Sequence, residues 1–164
     1  MNPPEVIIYT DGACKGNPGP GGYGAVLIYG QHQKQLKAGF RHTTNNRMEM
    51  LAIIIGLESL KKTCSVKVYS DSKYVVDGMN KGWPQRWQRN NWMRTKDEKA
   101  KNYDLWERLL NISQKHQLQY IWVKGHNGDE FNELADALAV EGAEESSTHS
   151  KDEIYEKESG INFG

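Results

Sequence analysis

Four acidic residues of this sequence stand where an apolar residue would be expected. Asp11 ends the apolar run VIIYTD, and Asp71 ends the similar run VKVYSD. Glu49 and Asp136 are spaced so that each shares the apolar face of a predicted helix. An acid in such a place is costly to ionise unless it has a partner. The four positions therefore predict a site in which carboxylates carry the chemistry.

Asp11 and Asp71 would meet if their strands are neighbours and parallel. Such strands are about 4.8 Å apart, and open α/β sheets bind ligands at the carboxyl edge of their strands. A local interpretation competes, because aspartate often caps the helix or turn that follows it. For Asp71 alone, capping is the better explanation. Glu49 and Asp136 can likewise be partly exposed acids near helix ends, but the four together favour convergence.

Convergence of four carboxylates restricts the chemistry. They cannot all ionise within a few ångströms unless cations neutralise them or their pKa values rise, and no lysine or arginine occupies a matching position. Oxygen ligands without histidine or cysteine suit Mg²⁺ or Mn²⁺ rather than zinc. Two such ions, about 3.5–4 Å apart, form the clamp used for in-line displacement at phosphorus. We therefore predict a site for two Mg²⁺ ions, with Mn²⁺ as a substitute.

Residues 81–101, called the basic segment below, carry seven lysines and arginines against two acids. Tryptophans are interleaved with these cations, and two of them lie four residues apart, on one helical face. For the tryptophans, a small aromatic core beneath a solvated helix is the favoured interpretation. The cations are predicted to follow a phosphate backbone. The residues concerned are Trp83, Arg86, Trp87, Arg89 and Trp92.

Two glycine-containing stretches hold further candidate site residues. Residues 12–22 are predicted to form a glycine-rich loop that lacks the GK[ST] sequence of P-loops. A mobile connection is its simpler interpretation, but glycines also let the backbone approach a ligand closely, which makes Cys14 and Asn17 candidate contacts. His126, between Gly125 and Gly128, is either surface decoration or a group that moves a proton at the acids.

The overall composition sets further limits. The chain has 164 residues with 21 basic and 21 acidic side chains, which suits one domain and is uninformative about partners. Its two cysteines, Cys14 and Cys64, predict neither a disulfide framework nor a zinc site. No secretory signal is visible, and the longest apolar run is far short of the ~20 residues of a membrane helix. We predict a cytoplasmic protein without membrane association.

Apolar periodicity predicts the order of the elements. Strands are expected at residues 5–10, 23–29, 33–42, 65–70 and 118–123, and helices at 47–62, 72–80, 102–114 and 129–141. Three antiparallel strands followed by strand–helix alternation predict an α/β fold, with a mixed sheet and helices on both faces. Residues 143–164 are polar and acidic and are expected to be a disordered tail.

Six stretches, in order, resemble the ribonuclease H family, type I, of the bacterial kind: YTDGACKGNPGPGGYGAV, TTNNRMEM, YSDSKYV, the basic segment, KNYDLWERL and WVKGHNGDEFNELAD. The resemblance implies a catalytic domain at residues 1–142 and leaves 143–164 as the tail. It implies a ribonuclease H-like five-stranded sheet whose first three strands are antiparallel. It also implies an endonuclease that cuts the RNA strand of RNA–DNA hybrids with two Mg²⁺ ions, leaving 5′-phosphate and 3′-hydroxyl ends.

The resemblance also assigns residues. The four metal-binding acids fall on Asp11, Glu49, Asp71 and Asp136, and His126 falls on the family's mobile loop histidine, which serves proton transfer or product release. Together with the basic segment, it leads to a set of substrate-binding candidates: Cys14, Asn17, Thr44, Asn45, Asn46, Lys73, Trp83, Arg86, Trp87, Arg89, Trp92 and Asn132.

The sequence departs from the family pattern in two places. Lys73 stands where many relatives have glutamine, and residues 88–91 offer one cation, Arg89, where relatives often carry a dense basic run. We therefore expect weaker hybrid binding with a shallower salt dependence.

Two rival functions are a metal nuclease of the same architecture acting on branched or duplex DNA, and a non-enzymatic module that binds hybrids or double-stranded RNA. The four acids argue against a pure binder. A monomer without an obligate protein partner is expected.

Overall fold

The computed structural model describes residues 2–125 and 129–160, in which three consecutive strands are followed by two further strands separated by helices. The strands are β1 Glu5–Cys14, β2 Gly19–Tyr29, β3 His32–Thr43, β4 Ser65–Ser70 and β5 Gln117–Trp122. The helices are α1 Asn45–Glu58, α2 Lys73–Lys81, α3 Trp83–Arg89, α4 Tyr103–Ser113, α5 Glu130–Glu144 and α6 Glu153–Ser159, with a 3₁₀ turn at Ser146–Thr148.

The five strands form one mixed sheet in the order β3-β2-β1-β4-β5. The pairs β1–β2 and β2–β3 are antiparallel, whereas β1–β4 and β4–β5 are parallel. The predicted sheet is therefore confirmed, including its three antiparallel strands. Because Tyr9 pairs with Tyr69 in the parallel ladder, Asp11 and Asp71 lie two residues further on, at the same edge of the sheet.

Helices cover both faces of the sheet, as predicted. The alternation of β1 sends Val6 and Ile8 into the main core, which includes the apolar residues of α1 and α4. Tyr9, one step out of phase, packs instead on the opposite face, where Ala135 and Leu138 of α5 cover Val26 of β2. The sheet is thus buried on two sides, and each side brings a helix-borne acid to the edge where β1 and β4 end.

The predicted glycine-rich loop at residues 12–22 is for the most part strand. β1 continues to Cys14, and its ladder with β2 joins Gly12 to Tyr23 and Cys14 to Gly21. Glycines are tolerated in this ladder because α5 lies directly on the backbone of the sheet. A Cβ atom at Gly24 would meet the carbonyl oxygen of Ala135, so close helix packing outweighs the low strand propensity of glycine.

Helix α1 begins two residues before the predicted start and ends at Glu58, four residues before the predicted end. Thr44 caps it, since its hydroxyl accepts a hydrogen bond from the Arg47 amide at 3.2 Å. Ser59 closes the helix with its amide bonded to the Ile55 carbonyl at 3.0 Å. In residues 2–125 and 129–160, no helix is both long and apolar enough to cross a membrane.

The prediction that the acidic tail is disordered is wrong for residues 143–160. Helix α5 continues to Glu144, and the chain then runs beside β3, where the Ser150 amide donates to the Gly39 carbonyl at 2.9 Å. Asp152 and Glu156 are 6% and 3% exposed. They are buried because arginines from the front of the chain neutralise them, an arrangement that the local sequence does not reveal.

Arg47 and Arg41 are the arginines that hold this C-terminal segment. The guanidinium of Arg47 donates to Asp152 at 2.8 and 2.9 Å and, on its other side, to Asp104 of α4 at 2.9 and 2.7 Å. Arg41 of β3 donates to Glu156 at 2.7–3.2 Å. The first turn of α1 is therefore tied to both α4 and the C-terminal segment.

Candidate active site

A cleft of about 380 Å³ opens at the edge of the sheet where β4 ends. All four predicted acids line it, together with residues from the first turns of α1 and α2. The lining residues are Asp11, Gly12, Asn45, Asn46, Glu49, Asp71, Ser72, Lys73, Tyr74 and Asp136. The convergence predicted from sequence is thus present in the structure.

Three of the acids form a tight cluster. One carboxylate oxygen from each of Asp11, Glu49 and Asp71 lies within 4.8 Å of the others. Gly12 makes this approach possible, because a Cβ atom there would stand 2.6 Å from the Glu49 amide nitrogen. Its own amide donates to Asp11 Oδ1 at 2.8 Å and fixes that carboxylate. The structure thereby brings α1 against β1 at the point where both carry an acid.

Asp136 completes the site from the other face of the sheet. It lines the cleft with Asp11 and Asp71, and, after burial and the charge of Asp71, a hydrogen bond with its carboxyl group also raises the pKa of Asp11. Helix α5 presents it after Asp129, whose side chain caps the helix by accepting from the Phe131 and Asn132 amides at 2.9 and 3.3 Å. Asp136 therefore forms a wall of the cleft beside the three-acid cluster.

The acids repel one another strongly. Burial, followed by the charge of Asp71, raises the pKa of Asp11 from 3.8 to about 7. Burial, followed by the charges of Asp11 and Asp71, raises the pKa of Glu49 well above its usual value. Among the described residues, buried Glu49 Oε2 has no hydrogen-bond partner. An oxygen-only cluster with a buried unpaired oxygen suits a hard divalent cation such as Mg²⁺ or Mn²⁺.

One rim of the cleft carries polar groups from the start of α1. Asn45 and Asn46 line the cleft itself, and the Asn45 amide donates to Asn17 Oδ1 at 2.9 Å. Thr44 is engaged in capping α1. The thiol of Cys14 lies behind this rim, 3.4 Å from the Thr43 carbonyl oxygen. Asn132 lies elsewhere, on the α5 side with Asp136.

The basic segment divides into packed aromatics and exposed cations. Trp83 and Trp87 share a face of α3, with ring centroids 6.4 Å apart, and Trp87 meets Trp106 of α4 at 6.0 Å. Trp87 and Trp92 pack against the main core, which favours the aromatic-core interpretation for these side chains. Arg86 and Arg89 are exposed and remain the groups of this helix that can meet a phosphate backbone.

Comparison with known proteins identifies the family. The family model described as RNase H matches residues 3–144. The chain belongs to the RNase H family. It is 54% identical over 155 residues to the protein named Ribonuclease H from Rippkaea orientalis, an alignment that covers 94% of each chain. With several such relatives bearing that name, the chain is an enzyme of the bacterial ribonuclease H kind.

Solved structures agree with this RNase H assignment. LC9-RNase H1, described as a type 1 RNase H with the type 2 active-site motif, is 28% identical, with a TM-score of 0.79 over 95% of this chain and 82% of that one. LC11-RNase H1, solved in complex with an RNA/DNA hybrid, is 26% identical, with a TM-score of 0.67 over 87% of this chain and 99% of that one.

Two further features of this RNase H lie beside the acids. His126 falls outside the described residues, so its role stays a prediction; its neighbour Gly125 lies against Asp71, where a Cβ atom would be 2.8 Å from Oδ2. Trp122, at the end of β5, was not among the predicted site residues, yet its indole contacts both Asp71 and Lys73. The sequence signal that could have marked it is its position at the end of the last predicted strand, four residues before His126.

Proposed function

We propose that this RNase H hydrolyses the RNA strand of RNA–DNA hybrids at a site for two Mg²⁺ ions, leaving 5′-phosphate and 3′-hydroxyl ends. The observation that carries the proposal is the cluster of Asp11, Glu49 and Asp71 oxygens within 4.8 Å of one another. The hybrid bound to LC11-RNase H1, a structural neighbour of this chain, supports the choice of substrate.

The acids of this chain would hold the ions. Asp11, Glu49 and Asp71 offer ligand oxygens on one side, and Asp136 offers another from α5. A bound pair of ions supplies a more acidic water and a stabilised leaving oxygen; Mn²⁺ can substitute because it accepts the same oxygen ligands. Because burial and the charge of Asp71 raise the pKa of Asp11 to about 7, a cation that binds near neutral pH would take the place of a proton on its carboxyl group.

The remaining residues position the hybrid. Lys73, Arg86 and Arg89 are exposed cations that can follow a phosphate backbone. Asn45 and Asn46 lie at the cleft and can read the RNA 2′-hydroxyl, which is what separates RNA from DNA. Asn17 is a further group of this rim, with Thr44 and Cys14 in supporting positions. Asn132 can contact the hybrid from the α5 side, beside Asp136.

His126 is proposed to transfer a proton near the acids, a role for which histidine is the usual side chain. The enzyme is proposed to act as a cytoplasmic monomer without an obligate protein partner. This proposal is supported by the lining of the cleft, to which one chain contributes all four acids.

The test is incubation of the protein with a hybrid labelled on its RNA strand, with and without Mg²⁺. We expect metal-dependent cleavage of the hybrid and none of single-stranded RNA, duplex RNA or branched DNA. Cleavage of branched or duplex DNA would indicate a different nuclease, and binding without turnover would indicate a binding module. Asp71→Asn should abolish cleavage, whereas the control Asp77→Asn, at an acid of α2 whose side chain is 41% exposed, should not.

A further inference from the structure

Trp122 is the last residue of β5, paired with Ser70 at the end of β4. Its side chain is 42% exposed at the edge of the sheet that carries the acids. Large aromatic side chains lose little by partial exposure when their polar edge has a partner. The indole of Trp122 uses both its edge and its face, and each meets a different residue of the segment that follows β4.

The indole edge holds the main chain of Asp71. Trp122 Nε1 donates to the Asp71 carbonyl oxygen at 3.0 Å. This bond acts where the parallel ladder ends, since the last ladder contact there is the Val123 amide to the Ser70 carbonyl at 2.9 Å. Asp71 is thus the first residue beyond the sheet, and the Trp122 N–H fixes its peptide group while its carboxylate faces the cluster.

The indole face holds the ammonium group of Lys73. Lys73 Nζ lies 4.7 Å from the Trp122 ring centroid, a cation–π contact. Lys73 is exposed and lines the cleft with the acids. In the part of the chain that the structure describes, it forms no ion pair with a carboxylate. A cation held by a ring face keeps its N–H donors available to an anion, which a cation paired with a carboxylate does not.

We propose that Trp122 is a positioning residue that sets a metal-binding carboxylate and a phosphate-binding cation at a fixed separation. Through its N–H it positions Asp71, and through its ring it positions Lys73 over the cleft. The part that concerns Lys73 rests on the proposed function, because it takes the anion to be a phosphate of the hybrid. The part that concerns Asp71 stands on the metal site alone.

Three variants separate the two contacts. Trp122→Phe removes the N–H but keeps a ring face for Lys73, Trp122→Leu removes both, and Lys73→Met removes the cation. Tyr29→Leu is the matched control, since Tyr29 is an exposed aromatic residue (51%) at the end of β2, far from the acids. Circular dichroism and thermal unfolding of each full-length variant establish that it is folded.

The first measurement is a titration with Mn²⁺ alone, without nucleic acid, followed by calorimetry or by the electron paramagnetic resonance of the free ion. A hydrogen bond of this kind corresponds to roughly a two- to tenfold change in affinity. We expect Trp122→Phe and Trp122→Leu to weaken Mn²⁺ binding by that factor. The control Tyr29→Leu should bind Mn²⁺ as the wild type does, and Lys73→Met should bind it equally well or more tightly. Unchanged Mn²⁺ affinity in Trp122→Phe would overturn the positioning of Asp71.

The second measurement is the affinity for a short hybrid in EDTA, where no cleavage occurs. An exposed cation–π contact corresponds to about a two- to fivefold change. We expect Lys73→Met and Trp122→Leu each to weaken hybrid binding by about this factor, and Trp122→Phe to stay within about twofold of the wild type. The double variant that carries both Trp122→Leu and Lys73→Met should bind no more weakly than Lys73→Met alone. Additive losses in that double variant would overturn the positioning of Lys73.

The two proposals can fail separately. If the wild-type protein neither binds nor cleaves a hybrid, the proposed function is wrong, but the Mn²⁺ titration of Trp122→Phe still decides whether the indole positions Asp71. If the wild type cleaves hybrids and the Trp122 variants match it in both measurements, the proposed function stands and the role of Trp122 is refuted. If Trp122→Leu does not fold, Trp122→Phe still tests the contact with Asp71, and Trp122→Gln, alone and together with Lys73→Met, replaces Trp122→Leu in the hybrid titration.

Discussion

Replacing Asp11 by asparagine should stabilise the metal-free protein while it damages the metal site. Asparagine keeps the size of the side chain and an oxygen for the Gly12 amide, but it removes one charge from the cluster with Glu49 and Asp71. Burial and the charge of Asp71 raise the pKa of Asp11 from 3.8 to about 7. Ionising this group therefore destabilises the folded state whenever the solution is near neutral.

The size of the effect follows from the two pKa values. One pKa unit corresponds to about 1.36 kcal/mol, so ionising Asp11 in the folded protein costs about 4 kcal/mol at most. Glu49 titrates in concert with it, so part of this cost returns as ionisation of Glu49 when Asp11 is neutralised. We therefore expect a gain of about 2 kcal/mol, which for a domain of this size raises Tm by roughly 4–8 °C.

The size of this gain in stability depends on pH. Between about pH 4 and pH 7 the folded protein binds more protons at Asp11 than the unfolded chain does, so the contribution of Asp11 to the free energy of unfolding falls as pH rises across this window and is constant above it. The advantage of Asp11→Asn should therefore be absent near pH 4 and complete above pH 7. Thermal unfolding followed by circular dichroism in EDTA, at several pH values from about 4 to about 8.5, measures it.

Two controls frame this experiment. Asp77→Asn removes an acid whose side chain is 41% exposed and should leave Tm unchanged, whereas added Mg²⁺ should raise the Tm of the wild type by mass action and that of Asp11→Asn much less. If Asp11→Asn melts at or below the wild-type temperature in EDTA at the alkaline end of the series, the acids do not repel one another as the geometry indicates.

Three further predictions concern the C-terminal segment and the basic segment. Asp152→Asn breaks a buried ion pair of Arg47 and should destabilise the protein by about 3 kcal/mol, seen as a Tm lower by roughly 6–12 °C; an unchanged Tm would show that the C-terminal segment contributes nothing. Hydrogen bonds from Arg41 lower the pKa of Glu156, so its stabilising effect is present above the usual carboxyl pKa and is lost as pH falls through the lowered value. Urea unfolding of Glu156→Gln should accordingly show a deficit at neutral pH that disappears in acid, below the lowered pKa. Hybrid affinity should fall less steeply with salt than that of a relative with a denser basic run, and equal slopes in parallel titrations would contradict this.

Much of the fold could be predicted because its signals are local. The similar endings of VIIYTD and VKVYSD raised the possibility that the two strands are parallel neighbours, and the structure pairs them in that way, with Tyr9 opposite Tyr69. Glu49 and Asp136 were out of place on apolar helix faces, and the structure brings both to the cleft. Strand alternation and misplaced charge are visible within a few residues, so they need no knowledge of the tertiary structure.

The errors arose where distant residues decide the local structure. Asp152 and Glu156 gave their segment a disordered composition, but their partners Arg47 and Arg41 precede them by 105 and 115 residues. Trp122 resembled an ordinary strand residue, because its contact with Asp71 joins the ends of two neighbouring strands. In each case tertiary contacts outweigh the local preference.

The close seat of α5 on the glycines of β2 has a consequence for how this enzyme can lose activity. Because the Ala135 carbonyl lies against Gly24, even one methyl group added at Gly24 would push α5 away from the sheet. Asp136 is on that helix and would be displaced with it. Inactivating substitutions are thus expected on the face of the sheet that α5 covers, at positions that contact neither ion nor nucleic acid. A survey of variants confined to polar residues would overlook them.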